Sequence, residues 1–139
     1  MLKKTITYTD YDGNERTEDY YFHLNQAEII EMEASEDGGF GEMLKKIVEE
    51  KNVPLMMKTF KTLIVKSVGI KSEDGKHFRK PDGYGEDFVS SEAYSVLFSD
   101  LCTNAEEATA FISGILPLND AQRKEMLEKA KIDALPKPE

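Results

Sequence analysis

The chain has 139 residues, enough for one domain with a modest core and too few for a second independent one. Its 27 acidic residues outnumber 18 basic ones, and the net charge of −9 argues against nucleic acid or an anionic membrane surface, since both call for a basic patch. Cys102 is the only cysteine, which excludes an intramolecular disulfide and a Cys-based zinc cluster and suits a reducing cytosol. Met1-Leu-Lys-Lys4 lacks the apolar core of a signal peptide, and no run approaches the roughly 18 apolar residues of a membrane span. The expectation is a protein that stays where it is made and meets a soluble protein partner.

Residues 2–9 alternate, with Leu2, Ile6 and Tyr8 on one face and Lys3, Thr5, Thr7 and Thr9 on the other, the period of a half-buried strand. Residues 16–22 supply its partner, and Asp12-Gly13 sits where a tight hairpin turn needs positive φ. An isolated hairpin is barely stable in water, so 1–23 must rest on helices or on another copy of itself; a free strand edge predicts weak self-association.

Residues 24–118 read as a helical core. Asn25 with Glu28 forms a capping box, and Leu24 opposite Ile29 a hydrophobic staple. Ser35-Glu-Asp-Gly-Gly39 breaks that helix, after which Phe40, Met43, Leu44, Ile47 and Val48 repeat at helical spacing. Pro54 is tolerated in a first turn, so a new helix is predicted from Val53, with Met56, Phe60, Leu63, Ile64 and Val68 inward and Gly69 as its stop. The polar stretch 70–85, with Asp74-Gly75 and Asp82-Gly83, predicts a short irregular hairpin, and it holds the local basic residues Lys71, Lys76, Arg79 and Lys80.

Helical periodicity returns with Tyr94, Leu97, Phe98, Leu101 and Cys102. Thr103 with Glu106 reads as a second capping box, followed by an apolar face of Ala108, Phe111, Ile112, Ile115 and Leu116 that Pro117 ends. Residues 119–135, opened by Asn119 and Gln122, form a last helix whose face of Ala121, Met126, Leu127, Ala130 and Ala134 is narrow. Such a face stabilises docking by only a few kcal/mol at ~25 cal/mol per Å², so this helix is expected to dock loosely and to uncover the Phe111–Leu116 stripe when it swings away. Residues 136–139 are a tail. The fold class is α+β, mostly α: an N-terminal β-hairpin packed on five or six short helices, in a single domain spanning 1–135.

Catalytic chemistry finds little support. His23 and His77 lack metal-site spacing, Cys102 lies on an apolar stripe without a basic neighbour, and Asp10-x-Asp12 meets Gly13 too early for a calcium loop. Gly38-Gly39-Phe40-Gly41 and Asp82-Gly83-Tyr84-Gly85 lack the spacing of a phosphate loop. No catalytic, metal or cofactor-binding residue is assigned, and the chain reads as a binding module that is not an enzyme. Between Lys80 and Arg123 there is no Lys or Arg while acids abound, so that surface either steers a basic partner or is simply a solvated face. Methionine adapts to irregular partners, and Met57 and Met126 are the better interface candidates. With Phe111, Ile112, Ile115, Leu116 and Leu127 they make the expected partner-binding set.

The stretch from Thr5 through the hairpin and capped helix to Glu33 resembles the start of the tail assembly chaperones of long-tailed phages that infect Gram-positive bacteria. The resemblance continues through Gly38-Gly39, Val53-Pro54, Glu92-Ala-Tyr-Ser-Val-Leu-Phe98 and Phe111-Ile-Ser-Gly-Ile-Leu-Pro117. It implies a protein of the host cytoplasm that coats the tape measure protein, keeps it soluble, recruits tail tube subunits and is absent from the mature virion. It also implies a longer form, made by a frameshift near the end of the short one, whose extension contacts the tube protein; Pro136-Lys137 can be encoded by a slippery CCC-AAA. Two other readings remain: a structural tail or head-completion protein retained in the virion, and a small host regulatory adaptor.

Overall fold

The computed structural model describes residues 1–35 and 53–117. Strands β1 (Leu2–Thr9) and β2 (Glu15–Phe22) form the expected antiparallel hairpin, in a register that sets Leu2 against Phe22, Ile6 against Glu18 and Thr9 against Glu15. Gly13, at φ 87°, supplies the left-handed turn residue. The Asp10 carboxylate closes that turn by accepting from the backbone N–H groups of Asp12 and Asn14 and from Arg16.

Helix α1 (Gln26–Ser35) starts at the predicted capping box: the Asn25 side chain accepts from Glu28 N–H at 2.8 Å, and Glu28 accepts from Asn25 N–H at 3.0 Å. Helix α2 (Val53–Ser67) carries Pro54 in its first turn and buries Phe60, Leu63 and Ile64. It stops two residues before Gly69, and Val68 belongs to strand β3 (Val68–Lys71), which pairs antiparallel with β2 and with β4 (Phe78–Arg79). The turn-rich stretch therefore does more than form its own hairpin, since it extends the N-terminal hairpin into a four-stranded sheet in the order β1-β2-β3-β4. Helix α3 (Tyr84–Val89) starts at the end of the stretch read as a turn-rich hairpin and runs on through residues 86–89, where no element was expected. Helices α4 (Glu92–Thr103) and α5 (Ala105–Ile115) follow the predicted stripes. Leu116 turns to an extended backbone, as a residue before proline should.

The cap of α5 is a correction. Asn104, not Thr103, accepts from Glu106 and Glu107 N–H, while the Thr103 hydroxyl bonds back to Ser99 within α4. Asn104→Ala should cost about 1 kcal/mol in a denaturant melt and Thr103→Ala only a few tenths, because only the former strands helix N–H donors. Equal losses from the two would return the cap to Thr103.

The helices cover the inward face of the sheet. Phe22, Leu24, Leu63, Ile64, Val68, Phe111 and Ile115 are fully buried there, and Phe22 meets Phe88 and Phe111 edge-on at 5.7 and 5.3 Å. Leu24 N–H donates to Ile115 C=O at 2.8 Å, tying the exit of β2 to the end of α5. The outward face of the hairpin is polar, with Thr5 on Asp19 and Thr7 on Thr17. The expected helices at 40–50 and 119–135 lie outside the described residues.

Candidate functional site

A cleft of about 530 Å³ opens between α1, the end of α2 and the segment that leads from β4 into α3. Local sequence builds each wall. Helix α1, opened by the capping box, brings Glu28 and Glu31 to one side, the last turns of α2 bring Val65 and Lys66, and residues from Lys80 to Glu86 form the other side. Leu24, Met32 and Val68, all buried, line it below, whereas Glu31, Asp82 and Glu86 at its mouth are exposed carboxylates.

Lys80 holds the walls together. Its ammonium group sits 2.5 Å from Glu28 and donates to His23 C=O at 2.8 Å, so this one of the two lysines that line the cleft is already neutralised. The mouth is thereby left acidic on balance, with Glu31, Asp82 and Glu86 against Lys66. Gly85 permits the close approach of α3 to α2, because a Cβ there would lie 2.5 Å from Val65 O. An apolar base beneath an acidic mouth suits an amphipathic segment with basic flanks.

The acidic run beyond Lys80 has a partly structural cause. Glu86 and Asp87, Glu92, and Glu106 and Glu107 fall in the first turns of α3, α4 and α5, where the helix dipole favours negative charge. Glu107 also pairs with Lys4 at 2.8 Å.

The residues singled out from sequence scatter. Met57 is 42% exposed on α2, one turn from Val53 at 55%. Phe111 and Ile115 come together, but inside the core and with no exposed surface; Ile112 and Leu116 are half-buried against it. Met126 and Leu127 lie outside the described residues. None of the described members of this set lines the cleft. Sequence reasoning missed the cleft because its walls meet through Lys80 and Glu28, 52 residues apart; the local signals were the capping box and the Asp82-Gly83 turn.

The groups capable of chemistry among the described residues stand apart from one another. Among the described residues no group of three or more His, Cys, Asp or Glu is positioned to hold a metal ion. Cys102 is half-buried, and burial pushes its thiol pKa up, away from the reactive thiolate. The His23 ring meets Phe78 edge-on at 6.3 Å, and His77 lies exposed in the β3–β4 turn. No described helix is long and apolar enough to cross a membrane.

Over residues 1–137 the sequence matches the model of a family described as phage tail assembly chaperone. No curated protein and no solved structure matches it.

Proposed function

The chain belongs to the phage tail assembly chaperone family, and on that premise we propose that it binds the tape measure protein, keeps it soluble and helps bring tail tube subunits to it. The observation that carries the family role is the match over 1–137; the acidic-mouthed cleft supports the binding mode. A tape measure is a long, largely helical chain, and its apolar faces aggregate unless covered. Several copies, each taking one amphipathic segment with basic flanks, would coat it with avidity from modest single contacts. The role requires no turnover, acts in the host cytoplasm, and ends before the virion is complete. Tube recruitment by a frameshifted longer form belongs to the same reading.

Co-expression tests this. The chain should carry an otherwise insoluble tape measure fragment into the soluble fraction. Reversing the mouth with Glu31→Lys and Asp82→Lys should weaken capture about tenfold at low salt, which corresponds to ~1.4 kcal/mol, and less as salt rises. A fragment that precipitates equally with and without the chain defeats the proposal. Mass spectrometry of purified virions separates the structural alternative, in which the protein would be present in stoichiometric amount.

A further inference from the structure

Among the described residues, the hydrogen-bond pattern of the hairpin leaves one long edge without a strand partner. Asp10 N–H donates to Asn14 C=O, which makes residues 10 and 14 a hydrogen-bonded pair. Stepping back by two along an antiparallel ladder assigns the same status to Tyr8 with Arg16, Ile6 with Glu18 and Lys4 with Tyr20. Lys3, Thr5, Thr7 and Thr9 therefore turn their N–H and C=O groups away from β2. The far side of the ladder agrees: His23 N–H donates to Ser67 C=O, so β2 gives its alternate groups to the neighbourhood of β3. β1 is the first strand of the sheet, and these four residues are exposed. Among the described residues the opposite edge is β4, two residues long.

We propose that β1 pairs antiparallel with β1 of a second copy of this chain, about a two-fold axis at Ile6, joining two four-stranded sheets into one. The strand is self-complementary in one register. With Thr5 opposite the partner copy's Thr7, and Lys3 opposite its Thr9, the four outward residues exchange about eight hydrogen bonds. Ile6 then faces its own copy, and Lys4 faces Tyr8 on the inward side. Leu2, Lys4 and Tyr8 are only half-buried in the single chain, so this pairing covers apolar surface that the helices leave open. Charge permits it. β1 carries Lys3 and Lys4 and no acid, and the antiparallel arrangement separates each Lys3 from its copy by six residues, roughly 20 Å, more than twice the screening length at physiological salt. Register shifts by two residues in either direction lose a hydrogen-bonded pair.

The pairing needs no tape measure protein, so its failure leaves the proposed function standing. Sedimentation equilibrium of the full chain should show mass rising with concentration toward twice that of the monomer. Thr7→Pro removes an N–H that points only outward, which an edge strand tolerates, and should weaken association at least tenfold while the circular dichroism spectrum stays that of the parent. Thr5→Cys and Thr7→Cys chains, mixed and oxidised with diamide, should form a covalent dimer, whereas each alone, and the parent with Cys102, should not. A parent that stays monomeric at its highest soluble concentration overturns the proposal. So does a mixed sample that crosslinks no better than its components. If Thr7→Pro fails to fold, the crosslinking result decides.

Discussion

Phe111→Ala is expected to lower stability by about 3–5 kcal/mol, the usual cost of deleting a buried ring and leaving a cavity. A domain of this size is stable by only ~5–15 kcal/mol, so the variant should melt at least 10 °C lower or fail to fold. The ring has no exposed surface and packs edge-on against Phe22 at 5.3 Å. One turn on, Ile115 C=O anchors Leu24 N–H, so a gap here loosens the junction between sheet and helices. Met57→Ala should change stability by less than about 0.5 kcal/mol, since 42% of that residue is already in water. Guanidinium melts of the two variants, beside tape measure capture, separate core from surface. A Phe111→Ala chain that keeps the parent midpoint yet loses capture would mean that the stripe opens to a partner, as the sequence suggested.

Those two residues show where sequence legibility ends. The apolar spacing of Ala108, Phe111, Ile112 and Ile115 announces a helix and its covered face, because periodicity is a local property. It does not say whether the cover is the chain's own Phe22 or a second protein. Local signals fared well: Asn25 and Glu28 bond as the capping box requires, and Pro54 sits in the first turn of α2. The second cap was off by one residue, because Thr103 and Asn104 both precede acids at workable spacing. Asn104 wins by taking the extended backbone of a cap, while Thr103 is still helical. Strand β3 was hidden for a different reason. Four residues that follow a helix directly have no room to show a period, and their strand identity comes from pairing with Tyr21 and Phe22, some 46 residues earlier in the chain. The cleft is more remote still, since its walls share no sequence pattern and meet through one lysine. Met32, Val65 and Gly85 line one cavity only because the fold folds that way.

Gly85 gives that long-range fit its sharpest test. Its φ is ordinary, so an alanine would gain about 1 kcal/mol of helix propensity if space were the same. Space is not the same. The added Cβ would lie 2.5 Å from Val65 O and 2.8 Å from Val65 Cγ1, and a backbone oxygen cannot swing aside as a side chain does. α3 must therefore move off α2, with an expected net loss of about 1–3 kcal/mol, and because both residues line the cleft its width changes too. Gly114→Ala is the matched control. There the new Cβ meets only the Leu2 side chain, at 3.0 Å from Cδ1, 3.2 Å from Cβ and 3.3 Å from Cγ, so a shift of a few tenths of an ångström relieves the contact, and the propensity gain offsets the crowding to leave stability within about 1 kcal/mol of the parent. Thermal melts should separate the two variants, and only Gly85→Ala should also weaken capture of the tape measure fragment. A Gly85→Ala chain that melts like the parent would show that the α2–α3 contact is looser than the structure has it, and one that melts lower yet binds like the parent would show that the cleft is not the binding site.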